Sequence, residues 1–66
     1  MSELRIGIDV GGTNTDAVVI DQANTILTWT KQATTADITT GLDHALTAVL
    51  ADIGEARSRV RRVMLG

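Results

Sequence analysis

The chain has 66 residues, no cysteine, a single histidine (His44), a single aromatic residue (Trp29) and a formal net charge of −2. Such a composition argues against a disulfide framework or a Cys/His zinc site, leaves no set of rings on which nucleic-acid bases could stack, and gives no positive field toward nucleic acid or anionic lipid. No apolar run reaches the roughly 20 residues of a membrane span, and Met1-Ser2-Glu3-Leu4-Arg5 lacks the layout of a signal peptide, so a cytoplasmic protein with neither nucleic acid nor membrane as partner is expected.

The first element expected is a strand. Leu4 to Val10 alternates, with Ile6, Ile8 and Val10 on one side and Gly7 and Asp9 on the other. Gly11-Gly12-Thr13-Asn14-Thr15 then breaks the pattern with turn chemistry. Ala17-Val18-Val19-Ile20 is a β-branched run suited to a buried strand, and Asp21-Gln22-Ala23-Asn24 a polar turn. Thr25 to Ala33 alternates again, so these two strands read as a hairpin.

After Thr34-Thr35-Ala36 the period changes. Ile38, Leu42, Ala45, Leu46, Val49, Leu50 and Ile53 form one stripe of an amphipathic helix. Asp37 is a suitable N-cap, with Thr40 and Asp43 as a later alternative, and Gly54 a natural residue to close the helix. Gly41 in the first turn costs about 1 kcal/mol relative to alanine. Beyond a charged link, Val60 to Leu65 reads as a fourth strand. The order is β-β-β-α-β: an antiparallel meander, then a helical crossover to a strand parallel to a neighbour.

A chain this short buries only about 60% of the surface its unfolded form exposes. It is nevertheless 44% hydrophobic, carries no staple and ends in the apolar Val63-Met64-Leu65-Gly66. One helix also leaves one face of the sheet uncovered. These features create the expectation that residues 1–66 are the N-terminal part of a much longer chain.

The stretch that carries chemistry is Asp9-Val10-Gly11-Gly12-Thr13-Asn14-Thr15-Asp16. Glycines let a backbone approach an anion without a Cβ in the way. Successive N–H groups in such a turn form an anion nest, and the Thr13 and Thr15 hydroxyls add donors. Mg²⁺ takes one or two carboxylates and completes its shell with phosphate oxygens and water, so Asp9 beside such a turn suits a metal–nucleotide site. A hairpin tip with glycines for conformation alone is the competing reading. Against it stand the two flanking acids, which repel an anion unless a cation intervenes. Neither a Walker A loop nor the dinucleotide fingerprint is present.

This pattern resembles the first phosphate loop of the actin-like ATPases, which include actin and sugar kinases. More narrowly, it is similar to the N-terminal region of the hydantoinase A/oxoprolinase family, with Asp-x-Gly-Gly-Thr-x-Thr-Asp from Asp9 to Asp16. Lys31, Thr34-Thr35, Asp37, Gly41 and the closing strand from Val60 to Gly66 also match, while Asn14 and Ala36 replace a frequent aromatic and a usual proline. The resemblance implies an α/β, RNase H-like unit with a mixed sheet, forming part of an actin-like nucleotide-binding lobe. It implies ATP and Mg²⁺ as cofactors, with Asp9 positioning the metal and Gly11, Gly12, Thr13, Asn14 and Thr15 at the phosphates. Asp16 belongs to the same cofactor motif and orients the turn.

Family members hydrolyse cyclic amides such as hydantoins or 5-oxoproline with ATP, which phosphorylates the substrate oxygen, and relatives carboxylate ketones. The resemblance thus implies a small-molecule substrate, with the remainder of the chain and a second subunit as partners. Residues 1–66 supply one side of a phosphate clamp and are expected to be inactive alone. A glucokinase-type sugar kinase and a non-catalytic actin-like nucleotide-binding module are the alternatives. Lys31 reads as a solvated edge residue, Trp29 as packing or a partly covered strand position, His44 as solvated, and Arg57, Arg59, Arg61 and Arg62 as a charged link into the last strand.

Overall fold

The fold was obtained as a computed structural model that describes residues 3–34 and 38–66, with Ile38 described by its backbone alone. The expected Asp37 cap, with Thr35 and Ala36, lies outside the described residues. The elements are β1 (Leu4–Val10), β2 (Asn14–Ile20), β3 (Ile26–Ala33), α1 (Ile38–Ile53), a 3-10 helix (Gly54–Arg59) and β4 (Val60–Leu65). The strands form one mixed sheet in the order β3-β2-β1-β4. The β1–β2 and β2–β3 pairs are antiparallel, whereas β4 returns parallel to β1 after the helical crossover. This is an α/β unit with the β-β-β-α-β order expected of an RNase H-like lobe.

Strand alternation decides which face is covered. Leu4, Ile6 and Ile8 of β1 and Ala17 and Val19 of β2 point to one side, where Ala45 and Val49 of α1 close over them. Leu42, Leu46, Leu50 and Ile53 flank this core, so the stripe read from the sequence is the face the helix buries. Thr28 on β3 ties the helix to the sheet, its hydroxyl donating to Asp52 Oδ2 at 2.8 Å. Gly54 ends α1 at φ +57°, a left-handed conformation that glycine adopts without a Cβ clash.

The β2–β3 turn is held by Asp21. Its Oδ1 accepts the N–H groups of Ala23 and Thr25, both at 2.9 Å, while Asn24 sits at φ +64°. Arg5 braces the turn from β1, with Nη2 donating to Asn24 Oδ1 at 2.6 Å and to the Asp21 carbonyl at 3.3 Å. Asparagine tolerates the left-handed region better than most residues, which suits it to this position.

Several expectations change. β2 begins at Asn14 rather than Ala17, because Gly11 and Asn14 already pair across the hairpin and only Gly12 and Thr13 remain as its tip. The charged link folds into a 3-10 turn. Thr40 lies inside α1 rather than capping it. Trp29, expected to be packed or partly covered on its strand, is 65% exposed on the face opposite α1, a parity that alternation alone leaves open. Among the described residues no element packs on that face, and no helix is long and apolar enough to cross a membrane.

Truncating Ile6, which is fully buried, is expected to destabilise the fold by about 2–5 kcal/mol. His44→Ala, on the exposed side of α1, should stay within about 0.5 kcal/mol. Urea unfolding with an unchanged slope checks both.

Candidate functional site

Strand register assembles the site. Asp9 stands directly across from Asp16 on neighbouring strands, and Asp16 across from Lys31. The Gly11 N–H donates to the Asn14 carbonyl at 2.8 Å, so the two acids, one hydrogen-bonded step down the ladder, have Cα atoms about 5.5 Å apart. Both are exposed and belong to the face that α1 leaves open. Like charges directly opposite each other on one face repel. Lys31 is the exposed edge-strand lysine read from the sequence, and its register also brings one compensating positive charge to that row.

Farther along this face, Gly7, Val18, Trp29 and Met64 stand in one cross-strand row. They floor a shallow, mainly apolar groove of about 580 Å³ that reaches the acid pair. Asn14 shares the strand parity of Asp16, and its Nδ2 donates to Thr13 Oγ1 at 3.2 Å. Gly11, Gly12 and Thr13 are exposed at the tip, and among the described residues the N–H groups of Gly12 and Thr13 meet no acceptor.

Neither turn glycine has a left-handed backbone, and only Gly11 is required for space. Among the described residues Gly54 is the glycine with positive φ. A Cβ on Gly11 would come within 3.1 Å of the Asn14 carbonyl oxygen, tighter than side chains normally tolerate, whereas a Cβ on Gly12 would meet nothing within 4 Å.

Thr15 does not join the exposed group. It is fully buried, the one buried polar residue among those described, and faces α1 beyond Ala17 and Val19. Its Oγ1 lies 3.0 Å from Thr34 Oγ1, and Thr34 Oγ1 donates to the Gly11 carbonyl at 2.9 Å. A carbonyl only accepts, so the Thr34 proton goes to Gly11 and the Thr15 proton goes to Thr34. Thr34 also donates its backbone N–H to the Thr13 carbonyl at 2.9 Å. Gly41 of α1 is buried over this cluster, where a Cβ would sit 3.6 Å from Thr15 Oγ1, leaving room for a methyl group and little more. Sequence reading gave Thr34 no physical role. The available signal was a hydroxyl at the end of an alternating strand, which identifies no partner by itself.

Residues 5–66 match the family model described as the hydantoinase/oxoprolinase N-terminal region. No curated protein and no solved structure matches the chain.

Gly11→Ala is expected to lower stability by about 1 kcal/mol or more through crowding at the Asn14 carbonyl. Gly12→Ala, which meets open space, should cost less. Thermal unfolding of the two variants side by side checks the difference.

Proposed function

The chain belongs to the hydantoinase/oxoprolinase family through its N-terminal region, and on that premise we propose that it is the nucleotide-phosphate segment of an ATP-dependent hydrolase of cyclic amides such as hydantoins or 5-oxoproline. The observation that carries the reading is the pairing of Asp9 with Asp16 at the base of a turn with exposed, acceptor-free N–H groups. Two carboxylates alone would repel a phosphate. Two carboxylates with a divalent cation between them and the phosphate would attract it.

The donor set fits Mg²⁺. Among the described residues no three of His, Cys, Asp and Glu gather as a closed cage. Mg²⁺ seldom uses one, because it holds its waters tightly and takes one or two carboxylates together with substrate phosphates. Asp9 is the proposed ligand, with Asp16 across from it as second ligand or as acceptor for a metal-bound water. When bound, Mg-ATP supplies the phosphoryl group and the charge neutralisation that phosphoryl transfer depends on.

The chain's own residues then position and neutralise. Gly12 and Thr13 offer backbone N–H groups to phosphate oxygens, and the Thr13 hydroxyl and Asn14 amide add polar contacts. Lys31 offsets the second carboxylate. Thr15 acts from inside, as support for the turn. Substrate contacts and acid–base groups are assigned to none of these residues, and we read the complete activity as that of a longer chain, with no role for the helix-covered face of the sheet, which is filled by the core.

In the full-length protein, Asp9→Asn is expected to weaken Mg²⁺-dependent nucleotide binding at least tenfold, on the order of 1.4 kcal/mol, with an unchanged circular dichroism spectrum. Unchanged affinity would overturn the assignment of Asp9. ATP turnover driven by cyclic amides supports the proposed activity. Turnover driven by hexoses would favour the sugar-kinase reading, and nucleotide binding without turnover the non-catalytic module.

A further inference from the structure

We propose that Thr34 is the positioning residue of the phosphate turn, holding two carbonyls inward so that the anion meets N–H groups. The inference rests on the reading of Gly11–Thr13 as the phosphate turn. Its physical basis is the planarity of the peptide group. The described chain has no cis peptide bond, so each carbonyl points opposite the N–H of the following residue. Thr34 Oγ1 holds the Gly11 carbonyl at 2.9 Å, which turns the Gly12 N–H the other way. The Thr34 N–H holds the Thr13 carbonyl at 2.9 Å and orients the Asn14 N–H in the same manner.

The alternative orientation explains why this matters. Glycine at positions 11 and 12 leaves the intervening peptide plane free to rotate. A rotated plane would direct the Gly11 carbonyl oxygen outward, where it would repel a phosphate rather than bind it. Thr34 contributes one side-chain bond and one backbone bond from outside the turn, 21 to 23 positions along the chain from the residues it holds. Thr15 adds a third, donating to Thr34 Oγ1 and so leaving the Thr34 proton to Gly11. The bonds from Thr15 to Thr34 and from Thr34 to Gly11 form a chain with a single consistent proton order.

Three substitutions in the full-length protein separate this role from general packing. Thr34→Val keeps the shape and the backbone N–H but removes the bond to Gly11. Thr34→Ser keeps the hydroxyl. Thr15→Val removes a donor while leaving the Thr34-to-Gly11 bond in place. The expected result is a Mg-ATP dissociation constant raised about tenfold in Thr34→Val, the loss of roughly one hydrogen bond's worth of orientation. It stays within about twofold in Thr34→Ser and changes less in Thr15→Val than in Thr34→Val. The KM for ATP should rise while the KM for the amide substrate stays constant, a split that a general loss of stability would not produce. Amide hydrogen exchange at Gly11, whose N–H bonds to Asn14, should accelerate in Thr34→Val and not in Thr34→Ser.

Equal affinity and equal Gly11 exchange in Thr34→Val and the parent would overturn the proposal, as would a tenfold loss in Thr34→Ser. Should Thr34→Val fail to fold, Thr34→Ala, which removes the same hydroxyl, takes its place with the same expected and overturning results. If the parent protein binds no Mg-ATP, the phosphate reading of the turn fails. Gly11 exchange then still tests the clamp: acceleration in Thr34→Val upholds Thr34 as the holder of the turn, and no change overturns it.

Discussion

A hydroxyl has one proton to give, and at Thr34 that constraint organises the end of the molecule where the candidate site lies. The proton goes to the Gly11 carbonyl, the oxygen receives the proton of buried Thr15, and the adjacent N–H goes to Thr13. Burying Thr15 without a partner would cost on the order of 1–3 kcal/mol. Its partner exists only because β3 ends beside the β1–β2 turn, so the turn, the strand end and the first turns of α1 over Gly41 form one packed unit. No described buried side-chain nitrogen or oxygen lacks a hydrogen bond, and this cluster is the part of the core where that required an arrangement rather than an apolar side chain.

The second organising fact is that the sheet has one dressed face. The helix covers Leu4, Ile6, Ile8, Ala17 and Val19, and the opposite face presents Asp9, Asp16 and Lys31 at the turn end, with Trp29, Val18 and Met64 beyond them. At the far end Arg5 stands across from Arg62. The open face is therefore graded from acidic to basic along the strands, with an apolar middle. Exposed apolar surface of this kind marks a region that interacts with something else.

Much of the architecture was legible in the residues. Alternation at Ile6 and Ile8 placed the core face, the stripe from Leu42 to Ile53 placed the helix, and the crossover rule oriented β4. The Asp9–Asp16 pattern carried the family resemblance. What escaped reading depends on contacts between distant positions. Thr34 acts on Gly11, Thr13 and Thr15, and only the register of two hairpins brings them together. Trp29 shows the other limit: alternation separates two faces, yet which of them is covered follows from where the helix lands. The start of β2 at Asn14 was hidden because Gly-Gly-Thr-Asn-Thr carries turn composition throughout, and cross-strand pairing overrode it.

Among the described residues, β3 and β4 form the two edges of the sheet. Such edges recruit further strands and seed aggregation unless something discourages it. Exposed Ile26, Leu27 and Leu65 make the hazard concrete. The charges on these strands are Lys31 on β3 and Arg61 and Arg62 on β4, all of one sign. Edge-to-edge joining of two molecules would set cation against cation in any register that brings these residues together. The like charges of the two edge strands oppose such pairing in those registers.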